Sequence, residues 1–118
     1  MPCRFSAQLH ADASAVWQRI FSHPFLQELM DGTLPVESFR YFLAQDYRYL
    51  EAFGRAVAIA LAKAADGPAM KRLAARVLTP IERPLHARLF ALAGLDVADV
   101  EAMEPAPANL AYVNHLIA

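Results

Sequence analysis

Cysteine is nearly missing from the 118-residue chain: Cys3 stands alone. It cannot close an internal disulfide, and such usage fits a reducing compartment. β-branched residues are scarce too. Val, Ile and Thr together occur 13 times, against 24 Ala and 15 Leu. Strands favour the first group and helices the second, which excludes a β-sandwich or barrel and argues against an α/β sheet. Charged residues make up only 19%, where soluble domains typically carry about 25%. The net charge is −1, so the chain has no basic footprint for nucleic acid. Long apolar runs are also lacking. The longest, Ala56 to Ala62, ends at Lys63, well short of the roughly 20 residues of a membrane span. Met1-Pro2-Cys3-Arg4-Phe5-Ser6 holds no apolar stretch of the kind that opens a secretory signal, and the expectation is a cytoplasmic protein with no membrane partner. No Gly-rich phosphate loop, zinc-ligand spacing or Gly-x-Ser-x-Gly elbow is present.

What is abundant is apolar surface: 57% of residues are hydrophobic. A lone domain of this size buries only about two-thirds of its unfolded surface. The excess implies either an oligomer or more chain packed against this one. Asn109 to Ala118 reads as an amphipathic helix without a stop signal, which favours the second reading.

Length allows one domain at most, and periodicity makes it all-α. Val16, Trp17, Ile20 and Phe21 form one face of a helix over Ser14 to Phe21. Ser22 is the expected cap of a short second helix with Pro24 in its first turn, closed by Asp31-Gly32. Pro35 opens a long helix over Val36 to Ala64, with Glu37 complementing its positive end. Its apolar stripe is Phe39, Phe42, Leu43, Tyr49, Leu50, Phe53, Val57, Ala60 and Leu61. Asp66-Gly67-Pro68 is a stop and restart. A further helix over Ala69 to Ala93 contains Pro80 and Pro84, which predict a kink or break near residues 76–84. A short turn of helix over Asp96 to Met103, a Pro-rich loop and a last helix from about Ala108 complete the chain.

Asp46 is the most informative residue. Phe42, Leu43, Tyr49, Leu50 and Phe53 surround it at helical spacing, so a carboxylate sits within the apolar stripe of the longest helix. Burying an ionised carboxylate is costly unless it is paired. Asp46 is therefore either a ligand-orienting or acid/base group in a pocket, or a structural Asp tied to an Arg or Tyr. Tyr49, one turn on, offers a ring and a hydroxyl to the same face, or packs as core. Tyr41 and Tyr47 point elsewhere and read as packing or interface residues. Glu82 and His86, at i, i+4, could orient a catalytic group, ligate a metal or form a surface ion pair. The Glu-x-x-His repeats of di-iron bundles are missing, which argues against a metal site. His23, between Ser22 and Pro24, reads as a capping residue. Cys3 is near the terminus, where the shaped, electropositive surroundings that a nucleophilic thiol needs are not expected.

Three segments carry a resemblance. Ser22-His23-Pro24-Phe25-Leu26-Gln27-Glu28-Leu29, then Asp31-Gly32-Thr33-Leu34-Pro35, then Phe39 to Leu50 with Gln45-Asp46-Tyr47-Arg48-Tyr49-Leu50, resemble the TenA family of thiaminase II or aminopyrimidine aminohydrolase proteins. Glu82, His86 and the pair Ala111-Tyr112 also fall where that pattern would place them. The resemblance implies an all-α, haem-oxygenase-like bundle assembled as a homotetramer, with no metal and no organic cofactor. It implies hydrolysis of the C–N bond at the methylene attached to a 4-aminopyrimidine. The substrate would be thiamin or aminomethylpyrimidine, and the hydroxymethylpyrimidine product would be salvaged for thiamin. It assigns Asp46 to the aminopyrimidine edge, Tyr49 and Tyr112 to the ring, and Glu82 and His86 to support. Family members are roughly twice as long, and their nucleophilic Cys and acid/base Glu lie on later helices. No residue here matches either one. The expectation is a single all-α domain, residues 1–118, incomplete at its C-terminus and carrying the substrate-positioning half of the site. The alternatives are a helical module that binds a pyrimidine or a partner without catalysis, and a haem-oxygenase-like metal oxidase.

Overall fold

The computed structural model describes residues 4–78 and 82–118, with the side chains at 78 and 82 outside that set. All of its regular structure is helical among the described residues. The chain forms two compact units, Met1–Pro35 and Val36–Ala118.

The first unit holds α1 (Phe5–Asp12), α2 (Ser14–Phe21) and α3 (Pro24–Asp31). Helix α2 has the expected bounds. Helix α1 has no counterpart in the periodicity. Its apolar residues, Phe5, Ala7, Leu9 and Ala11, alternate with polar ones and so gather on no single face. It is tied internally by Gln8 Nε2 donating to Asp12 Oδ1 at 2.7 Å, and to α2 by His10 stacked on Trp17 at 5.4 Å. The cap of α3 is His23, not Ser22: His23 Nδ1 accepts from the Phe25 N–H at 3.2 Å. The reason is Pro24. A residue before proline is driven into extended backbone, the conformation an N-cap needs, and His23 has φ −65°, ψ 135°. Ser22 instead closes α2, its Oγ donating to the Gln18 carbonyl at 2.8 Å. Gly32 ends α3 in the left-handed region, φ 71°, where a side chain would be strained.

The second unit is organised on α4 (Val36–Ala62), against which α5 (Gly67–Leu78), α6 (Glu82–Ala93), α7 (Val97–Ala102) and α8 (Pro107–Ile117) all pack. Asp66 starts α5 by accepting the Ala69 N–H at 2.7 Å, and Asp96 starts α7 by accepting the Ala98 N–H at 2.8 Å. The interruption expected near residues 76–84 falls between α5 and α6. Residues 79–81, Pro80 among them, lie outside the described residues. Pro84 sits in the first turn of α6, where a missing N–H costs no intrahelical bond. Leu43, Ala44, Phe90, Ala93 and Val100 form the core, with Phe39, Tyr47, Leu89, Leu95 and Met103 against it. The α6–α7 corner turns at Gly94, φ 65°. There Leu95 N–H donates to the Phe90 carbonyl at 2.9 Å and Arg40 Nε donates to the Ala93 carbonyl at 2.7 Å. The helix end is thus closed from its own chain and from α4. No described helix is long and apolar enough to cross a membrane.

Candidate functional site

The long-helix stripe does not bury uniformly. Leu43, Ala44, Gln45 and Leu50 are buried, whereas Phe42 is 42% exposed and Phe53 37% exposed. The exposed part of the stripe is the wall of a pocket. Phe42, Gln45, Asp46 and Tyr49 of α4 and Asn109 and Tyr112 of α8 enclose about 330 Å³, the size of a small-ligand site. Asp46 and Tyr49 are one turn apart on α4, as Asn109 and Tyr112 are on α8, so each helix sets a polar group beside an aromatic one. The Tyr49 and Tyr112 rings lie 5.5 Å apart at 34°, and Phe53 extends the aromatic wall 5.6 Å from Tyr49.

Asp46 is half-buried, its side chain 39% exposed. The deeply buried carboxylate suggested by its apolar neighbours is therefore not what forms, because the pocket opens beside it. Its Oδ2 lies 3.0 Å from Nε2 of His86. An ionised carboxylate only accepts, so against it Nε2 carries the proton and donates. Oδ1 of Asp46 has no hydrogen-bond partner among the described residues and is available to a ligand.

His86 is not the surface residue that a Glu82–His86 ion pair would require. It is 3% exposed and set edge-on against Tyr47 at 5.7 Å and Phe90 at 5.8 Å. This aromatic socket fixes the ring that holds Asp46. The Glu82 side chain and Cys3 lie outside the described residues. Tyr47 packs in the core, with the Arg83 guanidinium 4.0 Å over its ring and its hydroxyl 3.3 Å from Glu101. Tyr41, 53% exposed, lies away from Asp46, on a second open pocket with Arg40, Gly94, Leu95 and Met103. Among the described residues, no group of three or more His, Cys, Asp and Glu side chains is placed to hold a metal ion.

Gln45 is the site residue that sequence reasoning missed. A single Gln on an apolar stripe looks like any solvated helix position. Its partners come from 59 to 64 residues away, beyond any local signal.

With this geometry in hand, comparison with known proteins is direct. The model of the TENA/THI-4/PQQC family matches residues 10–118. The aminopyrimidine aminohydrolase of Halalkalibacterium halodurans is 31% identical over 115 residues, which cover 96% of this chain and 51% of that protein. The aminopyrimidine aminohydrolase of Bacillus subtilis is likewise 31% identical over 115 residues, covering 96% of this chain and 49% of that protein. A solved structure, the TenA homologue protein from P. horikoshii OT3, superimposes with a TM-score of 0.84 at 33% identity, over 95% of this chain and 53% of that one. The chain thus spans about half the length of the curated relatives it matches. Motif, helical architecture and structural likeness agree, and the chain belongs to the TENA/THI-4/PQQC family.

Proposed function

We propose that this chain is the substrate-positioning part of an aminopyrimidine aminohydrolase. The whole protein would hydrolyse the C–N bond at the methylene of a 4-aminopyrimidine and return hydroxymethylpyrimidine to thiamin synthesis. The observation that carries the reading is Asp46: a carboxylate held on one oxygen by a buried histidine, with its other oxygen available on an aromatic-walled pocket. The names of the relatives support it from outside the structure.

The chemistry follows from the parts. A 4-aminopyrimidine is flat and presents an exocyclic amine as a donor. Tyr49 and Tyr112, whose rings touch each other, would together present one aromatic wall to the ring, and Oδ1 of Asp46 would accept from the amine. The charge on Asp46 strengthens that bond and draws electron density toward the amidine edge. His86 and Glu82 would support Asp46. In the complete site a nucleophile adds to the electron-poor ring, the substituent leaves with help from a general acid, and water takes its place at the methylene before the nucleophile departs. Neither group has a match in this chain. We place the protein in the cytoplasm as a homotetramer, needing no metal or organic cofactor.

The test uses the chain and two ligands. Hydroxymethylpyrimidine should bind, and its counterpart with a 4-oxo group should bind at least tenfold more weakly, because a carboxylate that needs a donor then faces a carbonyl. The chain alone should release no product from aminomethylpyrimidine. Equal affinity for the amino and oxo ligands, or sustained turnover by the chain alone, would contradict the proposal.

A further inference from the structure

We infer that Gln45 is a positioning residue, whose carboxamide locks α8 onto α4 and so sets the contact of the two tyrosine rings that line the pocket. The inference rests on the functional reading above. Gln45 is 9% exposed, and both ends of its amide are used. Nε2 donates to the Glu104 carbonyl at 3.1 Å. Oε1 accepts from the Ala106 N–H at 2.7 Å and from Asn109 Nδ2 at 3.1 Å. Asn109 Nδ2 also donates to the Gln45 backbone carbonyl at 2.9 Å.

These bonds fall on the loop and first turn that place α8. Helix α8 has no side-chain cap: Ala106, in extended backbone before Pro107, offers none. The N–H at the helix entrance is satisfied by Gln45 instead, so the start of α8 is fixed from α4. A donor end on a carbonyl and an acceptor end on two N–H groups can be met in only one register. Slipping α8 by one residue would turn Tyr112 through about 100° about the helix axis, away from Tyr49. An apolar residue at 45 could fill the same volume but could not choose that register. Gln45 adjoins Asp46 and lies one turn before Tyr49. The same turn of α4 therefore carries the ligand groups and clamps the opposite wall.

The experiment compares wild type, Gln45→Met and Asn109→Ala. The substitution at 45 keeps volume while removing the amide; the one at 109 removes the bonds from α8 and serves if the first variant fails to fold. Ring-to-ring nuclear Overhauser contacts between Tyr49 and Tyr112 are recorded without ligand, with Tyr47 to Phe90 contacts as the core reference. Affinity for hydroxymethylpyrimidine is then measured by calorimetry. The expected result is loss of the Tyr49–Tyr112 contacts with the core contacts kept. Binding should weaken by about tenfold in Gln45→Met and by about threefold in Asn109→Ala, the scale of one or two hydrogen bonds. A merely structural role would lower the melting temperature without moving either readout. Persisting Tyr49–Tyr112 contacts, or wild-type affinity in both variants, would overturn the inference and leave the functional reading standing. A wild-type protein that binds no pyrimidine would overturn both.

Discussion

Replacing His86 by Phe separates what its ring does from what its two nitrogens do. His86 is 3% exposed and packs edge-on against Tyr47 and Phe90. A phenyl ring is somewhat larger than an imidazole but keeps the aromatic contacts of that socket, so most of the packing contribution survives. The 3.0 Å bond from Nε2 to Asp46 does not. Losing one partner of a buried hydrogen bond costs about 1–3 kcal/mol. The Asp46 side chain is 39% exposed, so water replaces part of the bond, and the lower half of that range, about 1–2 kcal/mol, is expected. Function should suffer separately. With Oδ2 released, the carboxylate must be immobilised when ligand binds, at a cost of about 0.5–1.5 kcal/mol, or roughly two- to tenfold in affinity. His86→Ala adds a cavity to the same losses, for a total of about 3–5 kcal/mol. Urea melts report the stability, read as a shift of midpoint at constant slope, and calorimetry with hydroxymethylpyrimidine reports the affinity. If His86→Phe matched wild type in both, the Asp46–His86 bond would carry neither stability nor positioning, and the reasoning would be refuted.

Four further substitutions, at three positions, follow from the structure. Gly94 adopts φ +65° with only an ordinary 3.5 Å contact awaiting a Cβ, so Gly94→Ala should cost about 1–2 kcal/mol for the left-handed backbone alone; an unchanged urea midpoint would contradict this. Gly54 lies inside α4 with nothing within 4 Å of a Cβ, so Gly54→Ala should stabilise by about 0.5–1 kcal/mol in the same melt. Tyr112→Ala should weaken hydroxymethylpyrimidine binding by about five- to tenfold through loss of the aromatic wall. Tyr112→Phe should keep most of the affinity, and equal losses in the two would assign the effect to the hydroxyl.

The helical plan was legible because it is written locally. The start of α4 at Val36 follows from Pro35, the end of α3 from Gly32, and the break before α6 from two prolines. Asp46 stood out because a carboxylate within an apolar stripe contradicts its neighbours. What could not be read is what joins distant turns. Asp46 and His86 are 40 residues apart, and periodicity offered His86 only its helical neighbour Glu82. Gln45 binds a loop and a helix about 60 residues later, with no trace in its own surroundings. Both Ser22 and His23 read as capping residues, and His23 is the one that caps α3, since the pull of Pro24 on His23 outweighs the better capping chemistry of Ser22. Helix α1 was illegible because its apolar residues, Phe5, Ala7, Leu9 and Ala11, alternate and fall on no single helix face, and a one-sided stripe is what periodicity detects.

The central claim is that Asp46 reads the amino edge of a pyrimidine in the α4–α8 pocket. Calorimetric titration of hydroxymethylpyrimidine into wild type and Asp46→Asn tests it most directly. An Asn oxygen can still accept from His86, so the fold should tolerate the change, while the charge that strengthens the ligand bond is gone. Hydrogen bonds to charged groups contribute about 1.5–3 kcal/mol, so the variant should bind roughly ten- to 150-fold more weakly at nearly unchanged stability. Equal affinity in the two proteins would contradict the account.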